Sequence, residues 1–181
     1  MRGLALSLFM LASCRALVTP APTGPDPALY WPMQAGQNMQ FELKMGTQEQ
    51  TQVVQLTHQE GPWIFDDRGQ RFRYDGLGLF DSRRYLIKRP LVVGSQWMSV
   101  PQPGVVERFS IAGVARPCAA PHGSIKDCLV VEARQNIDKK RTLLTRWWYG
   151  RGLGPLRIDT FIQDSSGRLE PKSSILRALE D

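Results

Sequence analysis

Three cysteines, Cys14, Cys118 and Cys128, and two histidines, His58 and His122, are the side chains of this 181-residue chain best suited to nucleophilic, redox or metal chemistry. So few ligands exclude a Cys/His zinc site unless nearly all of them converge. Cys118 and Cys128 flank a turn-rich stretch, Ala119-Ala120-Pro121-His122-Gly123-Ser124, between two strand patterns. A hairpin centred on Gly123 sets 118 opposite 128. It also lines up Phe109, Ile111 and Ala115 with Leu129, Val131 and Ile137 on one face and leaves both sulfurs on the other. In an oxidising compartment such a pair is expected to form a disulfide, which by closing about eleven residues stabilises the fold by roughly 2.5–3 kcal/mol. A redox pair or a metal clip with His122 needs a C-x-x-C spacing or a fourth ligand, and the sequence offers neither near by. Gly150-Arg151-Gly152-Leu153-Gly154 invites a phosphate-loop reading, but the dinucleotide fingerprint needs a sixth-position glycine, and Pro155 stands there. Leu156, Ile158, Thr160 and Ile162 then alternate as a strand where that fingerprint requires a helix. No G-x-S-x-G elbow occurs, and neither histidine has a nucleophile with an orienting partner near it in sequence. Asp66-Asp67 is too short for a calcium loop and reads as a hairpin tip. Asp75 and Asp81 are candidates for a carboxylate pair and, by default, polar residues at strand ends. The expectation is a non-catalytic protein with no metal and no cofactor.

Cys14 differs because of what precedes it. Arg2 leads an apolar run from Leu4 to Ala12, the charged and hydrophobic regions of a secretory signal. Nine residues span only about 14 Å as a helix, roughly half a bilayer core, so this is no membrane span. Leu11-Ala12-Ser13-Cys14 looks like a bacterial lipobox, in which small residues flank the scissile bond and the thiol accepts a diacylglyceryl group. The expected layout is a lipoprotein signal peptide over 1–13, an acylated Cys14 and proline-rich tether over 14–28, and one domain over 29–181. Two or three acyl chains anchor a protein far better than one. Arg15 follows the cysteine where an Asp would favour inner-membrane retention. The implied address is therefore the outer membrane, facing the periplasm. Prolines 20, 22, 25 and 27 favour an extended spacer over helix or sheet ladders.

The elements that must position these residues are strands. Gly 16 and Pro 13 favour turn-rich β structure. Met39, Phe41, Leu43 and Met45 alternate with polar residues, and Gln52, Val54 and Leu56 continue the pattern. Pro62-Trp63-Ile64-Phe65 meets a turn signal at Asp66-Asp67-Arg68-Gly69 before Phe72 and Tyr74. Further strands are expected over 85–88, 95–100, 105–115, 125–135, 141–149, 156–163 and 173–178, the last with some helical appeal. About ten short strands predict an all-β antiparallel domain, either a curved sheet or half-barrel or a sandwich. One echo runs through the chain. Pro32-Met33-x-x-Gly36-x-x-Met39 and Pro90-Leu91-x-x-Gly94-x-x-Trp97 share a pattern at an offset of 58 residues, through duplication or through shared turn-to-strand mechanics.

Tyr30-Trp31-Pro32-Met33-x-x-Gly36, Gly76-Leu77, Arg89-Pro90-Leu91-x-x-Gly94-x-x-Trp97, Asp127-Cys128-Leu129-Val130-Val131-Glu132 and Trp148-Tyr149-x-x-Gly152-x-Gly154 resemble a family of uncharacterised bacterial envelope lipoproteins. The resemblance covers most of residues 30–160 and departs at position 39, where Met stands for the usual Trp. It implies an antiparallel β domain and brings no activity and no catalytic residue.

The formal charge is +6. Arg68, Arg71, Arg73, Arg83, Arg84 and Arg89 fall within 22 residues and predict either a cationic face or ordinary solvated strand faces. In an envelope the matching anions are lipid phosphates and acidic glycans, and no nucleic-acid partner is expected. Two functions fit. One is a structural or interaction module docking an envelope protein or glycan. The other is a carrier of an apolar or anionic lipid-like ligand in a curved sheet, with Trp63, Trp97, Trp147, Trp148, Phe41, Phe80 and Phe161 as candidate lining. A packed interior favours the first, and an open apolar space of a few hundred Å³ favours the second.

Overall fold

A computed structural model describes residues 24–120 and 123–179. Cys14, with the signal and most of the tether, and His122 lie outside the described residues. A short 3-10 turn at Pro27–Leu29 precedes twelve antiparallel strands: β1 Asn38–Met45, β2 Gln48–Glu60, β3 Trp63–Asp66, β4 Arg71–Asp75, β5 Gly78–Phe80 and β6 Tyr85–Lys88, then β7 Gln96–Gln102, β8 Val105–Ala120, β9 Gly123–Asn136, β10 Thr142–Gly150, β11 Gly154–Gln163 and β12 Leu169–Ala178. They form one sheet in the order β6-β5-β4-β3-β2-β1-β12-β11-β10-β9-β8-β7. The all-β expectation holds as a curved, nearly closed sheet. The sandwich alternative does not, since every strand belongs to one sheet.

The order has a simple logic. Each strand pairs with its sequence neighbours, except that β1 pairs with β12 and β6 does not pair with β7. At the β1–β12 junction the registers run from Gln40↔Ala178 to Lys44↔Ser174. This pairing holds the last segment as a strand against its helical appeal, because the backbone groups of β12 are taken up by β1 and β11. At the β6–β7 seam, side chains do the bridging. The indole Nε1 of Trp97 donates to the carbonyl of Tyr85 at 2.9 Å, and Ser99 Oγ donates to Arg83 O at 3.4 Å.

The 58-residue echo marks equivalent places at the start of each six-strand half. Gly36 N donates to Leu56 O at 2.6 Å and Leu56 N to Gln37 O at 2.8 Å. Gly94 N donates to Ile111 O and Ile111 N to Ser95 O, both at 2.9 Å. Both glycines have positive φ, +86° and +89°, which only glycine adopts without strain. Met39 and Trp97 then enter the interior.

Inward-facing Met39, Phe41, Leu56, Phe72, Leu79, Ile87, Trp97, Phe109, Ile111, Leu129, Val131 and Tyr149 form the main core. A second cluster lies on the outside of the sheet, where Cys118, Cys128 and Leu156 pack with Ile125, Trp148 and Leu153. Cys118 and Cys128 are joined by a disulfide with Cα atoms 6.0 Å apart. The register differs from a hairpin centred on Gly123. Ala120 pairs with Gly123, so Cys118 faces Ile125 and Cys128 faces Arg116, and the bond crosses the ladder diagonally. The Ala120–Gly123 pairing and the irregularities between Ile111 and Cys118 account for the shift. Within them Ala115 turns outward at φ +50°, and Ile137 is exposed at the end of β9. Replacing both cysteines with alanine should cost about 2–3 kcal/mol in urea unfolding, from the lost chain constraint. A loss under about 0.5 kcal/mol would show that the bond contributes no net stability.

Candidate functional site

The curved sheet makes a cup with unlike ends. One end carries the β4–β5, β8–β9 and β10–β11 turns and the β6–β7 connection, and the segment before β1 plugs it. Trp31 inserts against Phe72 and Tyr149, with ring centroids at 5.1 and 6.4 Å. Gly154, at φ +89°, lies so close to the indole that a Cβ there would approach Trp31 Cδ1 to 2.9 Å. Gly152 N donates to Leu29 O at 2.7 Å, and Tyr74 Oη donates to Trp31 O at 2.7 Å. Tyr30 Oη donates to Asp127 at 3.0 Å. Burial and then that carboxylate push the Tyr30 phenol up to about 12, and burial likewise raises Tyr74 and Tyr149. All three phenols therefore stay neutral at any physiological pH. The glycine cluster thus seats the plug. Just before it, Asp26 caps the 3-10 turn and pairs with Arg89 at 3.1 Å, while Pro27 is buried. Residues 24–28 dock on the domain because Gly24 packs against the backbone of Leu91.

The opposite end is open. Here the β3–β4, β5–β6 and β7–β8 turns surround a polar mouth of about 460 Å³, lined by Arg68, Gln70, Asp81, Ser82, Arg83, Arg84, Gln102, Glu107 and Gln135. Carboxylates build this rim. Asp66 Oδ1 accepts the N–H of Arg68 at 2.9 Å and of Gln70 at 2.7 Å. Asp81 Oδ1 accepts those of Arg83 and Arg84 at 3.1 and 2.9 Å. Arg84 crosses the opening, with Nε to Asp81 Oδ2 at 3.2 Å and Nη1 to Glu107 Oε1. Burial works against its charge, but the hydrogen bond and charge of Glu107, helped by Asp81, outweigh it and raise its pKa. Among the described residues Arg68 and Arg83 make no ion pair. The Arg68 guanidinium donates only to Gln52 Oε1 and Val53 O, at 3.3 and 3.4 Å.

Beneath the mouth lies a mostly apolar chamber of about 270 Å³. Met39, Phe41, Val54, Leu56, Phe72, Trp147, Tyr149, Ile158 and Ile175 line it, with Trp31 among the lining residues from the plug. Arg68, Gln70, Asp81 and Arg84 border both spaces. Such an arrangement can take an apolar chain inward and hold a charged head at the rim.

Of the aromatic residues expected to line a cavity, Phe41 and Trp147 do so. Trp97 stacks on Phe109 at 5.2 Å in the adjoining core. The other four are outside and half-buried under arginines. Arg71 and Arg73 lie over Trp63 at 4.6 and 4.9 Å, and Arg73 also covers Phe80. Arg146 and Arg157 flank Trp148, and Arg146 also reaches Phe161. The arginines clustered in sequence accordingly separate in space: Arg68, Arg83 and Arg84 at the mouth, Arg71 and Arg73 on the outer face, Arg89 on Asp26. The single cationic face is replaced by three locations because only Arg71 and Arg73 share a strand, on one side of it, while Arg68, Arg83 and Arg84 stand in turns and Arg89 in the β6–β7 connection.

Asp75 and Asp81 stand at opposite ends of β5. Asp75 accepts from Leu77 N, Gly78 N and Tyr85 Oη; these bonds, with Arg73, lower its pKa against a raising effect of burial. They are turn builders and do not meet. His58 stacks on Phe65 on the outer surface at 4.7 Å. Among the described residues no group of three His, Cys, Asp or Glu side chains is placed to hold a metal. No helix among them is long and apolar enough to cross a membrane.

The sequence matches no protein-family model and no curated protein. Two crystal structures share its outline. One is a Bacteroides fragilis protein of YmcC-like fold, named as exported: 12% identity, 87% of this chain and 97% of that one covered, TM-score 0.46. The other is a Parabacteroides distasonis protein named as a lipoprotein: 12% identity, 84% and 98% covered, TM-score 0.43. Neither name carries a ligand or an activity.

Proposed function

We propose that this chain is a non-catalytic lipoprotein of the bacterial envelope whose β domain binds a single-chain amphiphile with an anionic head. The chain occupies the apolar chamber and the head meets Arg68 and Arg83 at the mouth. The carrying observation is the continuity of a polar mouth with an apolar chamber through four shared residues. The chamber lies just under the roughly 300–1,000 Å³ common for ligand pockets, which suits one acyl chain and not two. Envelope residence rests on the signal and the lipobox at Cys14, and the Cys118–Cys128 disulfide suits an oxidising compartment. Arg15 after the acylated cysteine supports the outer membrane, and the periplasm is the side from which such a ligand would arrive.

The test is native mass spectrometry of the protein extracted mildly from its own membrane. A stoichiometric adduct beyond the Cys14 anchor, with one acyl chain and an acidic head, is expected. A bare domain under conditions that preserve other lipid complexes would count against the reading.

Docking of an envelope protein or glycan is the second reading, and edge strand β7 favours it. Met98 and Val100 are exposed there beside the unpaired seam, the kind of edge that soluble proteins usually protect. A protein co-purifying in place of the small adduct would decide for it.

A further inference from the structure

The plugged end exposes large apolar side chains where solvent would be expected to select polar ones. Leu77 is 53% exposed, Val92 46%, Val93 56% and Leu29 39%. They belong to one surface. Arg89 N donates to Leu77 O at 2.8 Å, which ties the β4–β5 turn to the connection that carries Val92 and Val93. Gly24 packs on the backbone of Leu91, and Leu29 O accepts from Gly152. Lys88 and Lys126 lie at the same end and have no carboxylate partner among the described residues, while Arg151 pairs with Asp127 at 3.1 Å. Apolar tips among cations match a bilayer surface, with side chains entering the acyl boundary and ammonium groups reaching phosphates.

What covers this surface follows from where the described chain begins. Gly24 lies against it, and nine residues intervene between Cys14 and Gly24. Even fully extended, that length spans only about 35 Å. We infer that the plugged end seats directly on the membrane that holds the Cys14 lipid, with Leu77, Val92 and Val93 in its interfacial layer. The mouth, at the other end of the cup, then faces away from that bilayer. This inference rests on acylation at Cys14 and is independent of the ligand.

The experiment uses the acylated full chain in vesicles of phosphatidylethanolamine and phosphatidylglycerol. Val93→Cys leaves one free thiol for a nitroxide, since Cys14 is acylated and Cys118 and Cys128 are bonded. Ser165→Cys in the β11–β12 turn, at the mouth end, is the solvent control, and Cys14→Ala protein gives the unanchored baseline. The Val93 label should collide with a water-soluble relaxation agent at least threefold less often than the Ser165 label. Equal collision rates on vesicle-bound protein overturn the seating and leave the anchor standing. Acylation-competent protein that stays off the vesicles overturns the anchor, and the seating with it.

Discussion

Trp97→Ala should lower the unfolding free energy by about 3–5 kcal/mol, the usual cost of truncating a buried tryptophan. That corresponds to a melting-temperature drop of roughly 6–20 °C for a domain of this size. The indole has two tasks. It stacks on Phe109 within the core, and its Nε1 makes the 2.9 Å bond to Tyr85 O across the seam where β6 and β7 lack a ladder. Trp97→Phe separates them, because it keeps the stacking and loses the donor. It should cost about 1–2 kcal/mol, mostly for a buried carbonyl left without its partner. Ser99→Ala, whose bond to Arg83 O is long and exposed, should cost under about 0.5 kcal/mol. Urea unfolding monitored by circular dichroism checks all three. If Trp97→Ala falls below 1 kcal/mol, the seam is closed by something other than this side chain.

Ile158→Trp tests the chamber. Ile158 sits in a row of paired inward positions with Trp147 and Ile175, and all three border the open space. A larger side chain there fills volume that a ligand would take. Affinity for a single-chain amphiphile should fall at least tenfold, about 1.4 kcal/mol, in a titration with a fluorescent fatty acid. Stability should change by less than about 1 kcal/mol, since the indole enters space that is already open, whereas overpacking a filled core typically costs about 1–3 kcal/mol. Unchanged affinity would remove the chamber from the ligand site. A large loss of stability would mean that the space is not open to a side chain.

The two outcomes address different features of one construction. A cup made from a single meandering sheet needs its edges joined and one end stopped. Trp97 joins the edges, and Trp31, seated by Gly154, stops the end. With one end plugged, the other is the route into the interior, and there the turn-building carboxylates Asp66 and Asp81 also set the arginines in place. Gly78 makes a related demand near the plug, where a Cβ would run into the carbonyl of Ile87. The Gly76-Leu77-Gly78 run resembles Gly152-Leu153-Gly154, and both lie at turns of the plugged end. That second echo was the sequence signal for the plugged end, and it is easily missed because its spacing differs from 58 residues.

Alternation by twos, with glycine and proline between the runs, determined the strands one by one, because the period of a pleated chain is written in neighbouring residues. The signal and lipobox proposed at Cys14 rest on the same kind of local pattern. Three features were decided only by the tertiary structure. Closure depends on β1 meeting β12, a pairing between residues more than a hundred positions apart that no local pattern specifies. Which side of a strand faces inward is ambiguous where both sides are aromatic. Trp147 borders the chamber while Trp148 lies outside between two arginines, and their types are identical. The chamber is the volume left when twelve curved strands fail to fill their own interior. It belongs to no residue, and so the sequence alone could name candidate walls for it but not enclose it.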